Sequence, residues 1–110
     1  MIEKIILDYL NSKGVKTYME EQDKMPKEFI LIEKTGSGEN DFIKNSTIVI
    51  QSFSDSLYKT SLLNEKVKTL MFNITESVDI VSCKLNSDYN YPDPEKKRYR
   101  YQAVFDIVHY

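Results

Sequence analysis

Two side chains in this sequence belong to the scarce reactive types: Cys83, the single cysteine, and His109, the single histidine. A thiol or an imidazole does chemistry when a neighbour activates it, and neither residue has a sequence partner that defines a base–nucleophile pair. Cys83 alternates with apolar residues and reads as a small core or half-buried strand residue. His109 reads as a strand residue near the end of the chain. Two acidic groups, Glu20/Glu21/Asp23 and Asp88/Asp93/Glu95, have the charge to attract a divalent cation. Neither has the regular oxygen-ligand spacing of a calcium loop, and no Cys/His cluster suits zinc. Both read as solvated acidic connections. The sequence therefore predicts no catalytic residue, cofactor or metal, and a protein that is not an enzyme.

The dense basic feature is Lys96-Lys97-Arg98-Tyr99-Arg100-Tyr101, interleaved with aromatics. Such a mixture can track single-stranded nucleic acid through phosphate contacts and base stacking. It can equally place arginines against the carboxylates of a neighbouring protein chain, using a rigid donor fork beside rings that carry a polar handle. The net charge of −2 and the confinement of the cluster favour the protein contact. Arg98, Arg100 and Gln102 share one parity and are expected on one sheet face. The pair Gly36 and Gly38 is not followed by Gly-Lys-Ser/Thr, so it reads as a turn between strands rather than a phosphate cradle.

The elements that must position these groups follow from periodicity. Ile2, Ile5, Ile6, Tyr9 and Leu10 predict a helix over Ile2–Ser12, ended by Gly14. Val15–Met19 predicts a short strand with Val15, Thr17 and Met19 on one face. After the acidic connection Glu20–Asp23 and Pro26, the run Phe29–Ile32 predicts a strand that is central or covered on both sides. Thr35–Asn40 predicts a hairpin loop, and Lys44–Ser52 a third strand. Ser54 or Asp55 is expected to cap a helix reaching about Phe72, with Leu62, Leu63, Val67, Leu70 and Met71 buried. Two long antiparallel strands, Val78–Tyr89 and Arg98–Tyr110, complete the set, joined by the loop Tyr91–Lys96. One face of the last strand is aromatic and apolar. The other is mixed, so it is either partly covered or set against another subunit.

The chain has 110 residues, of which 41% are apolar and 29% charged. That fits one α+β domain, residues 1–110, with two helices packed on a mainly antiparallel or mixed sheet. A lone cysteine fits a reducing compartment. No stretch approaches the ~20 apolar residues of a bilayer span, and the start does not read as a signal peptide.

Three segments together carry a resemblance: the strand end Thr47-Ile48-Val49-Ile50-Gln51-Ser52-Phe53-Ser54, the stretch Asn86–Pro94, and Arg98-Tyr99-Arg100-Tyr101-Gln102-Ala103-Val104-Phe105-Asp106-Ile107. With the helix order around them, they resemble the small minor capsid or tail-completion proteins of tailed phages and prophages of Gram-positive bacteria. Those are similar in turn to tail-terminator proteins. The resemblance implies a tail-terminator-like fold and a homo-oligomer, usually a hexameric ring, on the end of the tail tube. It implies contacts with the tail-tube protein and the head connector protein at the tail–head junction of the virion, after assembly in the bacterial host cytoplasm. Arg100, Tyr101 and Gln102 match the family's Arg-Tyr-Gln stretch. Arg98, Arg100, Tyr101 and Gln102 are therefore candidate interface residues, with Glu20, Glu21, Asp23 and the Gly36–Asp41 loop as rim elements. A head–tail joining or connector-adaptor subunit is the alternative in the same setting, and a small nucleic-acid-binding protein the alternative from another class.

Overall fold

The computed structural model describes residues 1–110. Helix α1, Ile2–Ser12, buries Ile2, Ile6 and Leu10, the stripe its spacing predicts. Gly14 ends it at φ +84°, a conformation an L side chain adopts only with strain. The Gly14 N–H donates to the Asn11 carbonyl and the Val15 N–H to the Leu10 carbonyl, both at 3.1 Å. Two of the helix's orphan acceptors are thereby satisfied, and Val15 packs into the same core as Leu10.

Strands β1 (Thr17–Tyr18), β2 (Phe29–Asn40) and β3 (Ile43–Ser54) come next, then helix α2 (Leu57–Phe72). A single 3-10 turn, Ile74–Glu76, leads into β4 (Ile80–Asn90) and β5 (Tyr99–His109). This is the element order expected from the sequence. The five strands form one sheet in the order β1-β2-β3-β5-β4. β1 runs parallel to β2 and the other pairs are antiparallel, so the protein is α+β with a mixed sheet and two packed helices.

Three local expectations are corrected. β1 is two residues long, and Met19 turns out to solvent instead of sharing the buried side of Val15 and Thr17. Thr35–Asn40 is not a loop: β2 runs through both glycines, with Gly36 opposite Thr47 and Gly38 opposite Asn45. The hairpin turns at Asp41-Phe42, both left-handed at φ +51° and +68°, the signs a two-residue primed turn requires. Helix α2 is capped by Ser56, whose Oγ accepts from the Lys59 N–H at 3.1 Å, because Ser54 still belongs to β3. Its buried stripe is Thr60, Leu63, Asn64, Val67 and Met71, while Leu62, one residue out of phase, is 51% exposed. Two polar residues occupy that stripe with partners for their donors, while Asn64 Oδ1 stays buried and unpaired. Thr60 Oγ1 donates to the Ser56 carbonyl at 2.7 Å, and Asn64 Nδ2 to Asp88 at 3.1 Å.

One face of the sheet carries Ile30, Ile32, Ile48, Ile50, Ala103, Phe105 and Ile107 against both helices. No helix covers the opposite face. It carries half-buried Leu31 and Val104 and buried Val49 beside the ladder in which Gln51 Nε2 donates to Gln102 Oε1 at 2.9 Å and Gln102 donates to the Tyr89 hydroxyl. The run Phe29–Ile32 is internal to the sheet but helix-covered on one side only. The outer edge of β4 is unpaired, and β1 covers only Ile30 and Leu31 of β2. The molecule measures 44 × 25 × 25 Å. No helix is long and apolar enough to cross a membrane.

Candidate functional site

The basic-aromatic segment enters β5 through a charged cluster on the uncovered sheet face. Phe29 and Phe53 are cross-strand partners, and their rings stack at 4.6 Å between centroids. The Arg98 guanidinium lies 4.5 Å above the Phe53 ring, a cation–π contact on a desolvated aromatic. Its Nη2 donates to Glu21 at 2.6 Å and to Asp93 at 2.8 Å. Lys96 Nζ donates to the other Glu21 oxygen at 2.9 Å. Asp93 Oδ1 accepts from the Glu95 and Lys96 N–H groups, shaping the β4–β5 loop into a turn.

Hydrogen bonding from Arg98, then Lys96, holds the Glu21 carboxyl below its ordinary value. Asp93 is lowered in the same way, by Arg98 first. Both carboxylates are charged partners for one fork of donors. Arg100 stands on the same face, as its parity predicts, 4.3 Å over the Tyr91 ring with Nε donating to the Tyr91 carbonyl at 2.7 Å.

The candidate interface residues therefore divide. Glu21, Arg98 and Arg100 converge around Phe53, and Gln102 continues the same face. Tyr101 points the other way, opposite Ser52 on the helix side. Glu20 and Asp23 are exposed and form no ion pair. Of the two arginines expected to meet a partner, Arg98 is already bound to this chain's own acids, as is its neighbour Lys96, and Arg100 donates to the Tyr91 carbonyl. The second acidic group is likewise dispersed: Asp88 accepts from Lys68 at 2.8 Å, and Asp93 faces Arg98.

The sequence-singled reactive residues lie apart. Burial pushes the Cys83 thiol up to about 12, far from thiolate chemistry at neutral pH. His109 is buried, with Nε2 2.8 Å from Ser46 Oγ, a partner 63 residues away that no local motif reveals. Its Nδ1 faces the Tyr110 main-chain carbonyl rather than a carboxylate. The pair closes the floor of a cleft of about 400 Å³ between α1 and the β2–β3 hairpin, walled by Ile2, Ile5, Lys34 and Lys44.

Two exposed features were not legible in the sequence. Phe42, at the hairpin tip, is 90% exposed. At the other end of β2, adjoining depressions of about 280 and 240 Å³ share Glu28, Leu63 and Lys66. Lys16, Lys27, Lys59 and Lys66 surround that groove and Leu62 lines it. Lys59 and Lys66 come from α2 and Lys16 and Lys27 from the segments flanking β1 and β2, so only the fold assembles all four. Comparison with protein-family models and with curated proteins finds no match for the chain.

Proposed function

We propose that this chain is a structural virion-assembly subunit, tail-terminator-like in fold, that closes into a ring on the end of a phage tail tube and contacts the head connector. The resemblance of the Tyr99–Ile107 strand and its surroundings supplies the setting. The observation that carries the reading is the sheet face that no helix covers: half-buried Leu31 and Val104 sit beside a glutamine ladder. The mixed parity of β5 called for such a face to be partly covered or set against another subunit; within the chain Arg98 and the β4–β5 loop cover its Phe53 end, and no helix covers the rest. A contact protein needs outward surface of this kind, and the charged cluster beside it braces that surface. Ring closure suits the task because a heterologous contact repeated around an axis leaves no free end in the ring plane.

The test is electron microscopy of particles from a producing host with the gene deleted. Overlong tail tubes without heads are expected. Normal tails detached from filled heads would assign the chain to joining instead, and unaltered virions would overturn the reading.

A further inference from the structure

The hairpin tip and the lysine groove are chemically complementary. The tip carries Glu39 and Asp41 on either side of Asn40, followed by Phe42, and neither acid forms an ion pair. Lys44 lies across from Glu39 in register without closing one. The groove carries Lys16, Lys27 and Lys66, also without ion pairs, and Lys59, which reaches Asp55 at 3.4 Å. Its single carboxylate, Glu28, accepts from Ser54 Oγ at 3.3 Å. Leu62, half exposed, and Leu63 give the groove an apolar lining of the kind an aromatic ring fills.

Phe42 is held outward at a backbone cost. A bulky residue at φ +68° is an outlier where glycine is the usual occupant, so the fold itself gains nothing from a phenylalanine there. Such outliers concentrate where a side chain is used.

The two features stand at opposite ends of β2. The groove borders Lys27, Glu28 and Phe29 at its start, and the tip follows Asn40 at its end. Twelve extended residues separate them by about 40 Å, so a tip cannot reach its own groove. We propose that the tip of one copy docks into the groove of a second copy, Phe42 against Leu62 and Leu63, with Glu39 and Asp41 facing Lys27 and Lys66. The contact is heterologous, head to tail, and closes into a ring when the rotation per step divides a full turn with no rise along the axis. It rests on the ring-forming reading above and names the surfaces that would build the ring.

Spin labelling tests it in the full chain. A nitroxide is attached at Asn40→Cys in a Cys83→Ser background, which leaves Phe42 in place. This chain is mixed at millimolar concentration with ¹⁵N-labelled protein lacking the label. Loss of amide signal is expected at Lys27, Leu62 and Lys66, fading as salt screens the charges. Lys27→Glu/Lys66→Glu in the ¹⁵N chain should abolish that loss, as should Glu39→Lys/Asp41→Lys in the labelled chain. Combining the two reversed partners should restore it. No signal loss anywhere, or loss that survives charge reversal, overturns the contact. Loss along the β4 edge instead overturns it while leaving the ring reading standing, which the gene-deletion experiment decides independently.

Discussion

The two ends of the β2–β3 ladder hold aromatic rings in opposite circumstances. At one end Phe29 and Phe53 stack beneath Arg98, which is tied to Glu21 and Asp93, so both rings and charges are used up inside the chain. At the other end Phe42 stands in solvent on a left-handed backbone with two unpaired acids beside it. The Phe53 end resembles a binding motif in sequence and is a brace in the fold. The Phe42 end resembles a plain loop and is the more available surface. What separates them is whether the surrounding topology supplies partners. Three acidic and basic segments meet at the Phe53 end, and none reaches the tip.

Mutations at the two ends should separate the brace from the tip. Phe53→Ala is expected to lower unfolding free energy by about 3–5 kcal/mol, since the ring is buried and supports the guanidinium. Urea denaturation measures it, and a loss below about 1 kcal/mol would mean the brace is not packed as described. Arg98→Ala should cost about 2 kcal/mol, because it removes a charged donor from each of two carboxylates and leaves them only Lys96 and loop N–H partners. Coupling with Asp93→Asn in a double-mutant cycle would show the pair directly, and purely additive losses would deny it.

The loss in Arg98→Ala should depend on pH. Glu21 and Asp93 are held below ordinary values of 4.5 and 3.8, so their contribution is complete above about pH 5. As pH falls through those values the unfolded chain takes up protons before the folded one, and the contribution drains away. The gap in Tm between wild type and Arg98→Ala should therefore narrow from pH 5 toward pH 3. A constant gap would assign the loss to packing on Phe53 alone. The smallest effect has the opposite sign: Phe42→Gly should stabilise the protein by about 1 kcal/mol, by relieving the left-handed backbone at the turn. Destabilisation there would mean the exposed ring packs within its own chain.

Much of the fold was legible because each element announces itself locally. Ile2, Ile6 and Leu10 repeat at helical spacing, Gly14 stops the helix, and Ala103, Phe105 and Ile107 alternate at strand spacing. The misplacements arise where tertiary partners override local signals. Gly36 and Gly38 read as a turn, yet β3 pairs straight past them, and the turn falls on Asp41-Phe42, whose types do not advertise it. Thr60 and Asn64 are absent from the apolar stripe that periodicity picks out, yet the Ser56 carbonyl and Asp88 accept their donors in the interior. At the site, the parity of Arg98, Arg100 and Gln102 was readable. That Glu21 lies beside Arg98 was not, because 77 residues separate them.

The position of β5 has a consequence for the order of folding. It is the last strand in sequence but sits between β3 and β4, paired along its length with both. Lys44 meets His109 and Ser54 meets Tyr99, so the centre of the sheet closes loops of roughly 45–65 residues, a slow class of contact. During synthesis, α1, the β2–β3 hairpin and α2 can form as they emerge, but their apolar faces have no finished sheet to cover. The core is completed only when the segment through His109 leaves the ribosome. Until then β3 exposes an unpaired edge, and the nascent chain is at its most vulnerable to joining the wrong neighbour.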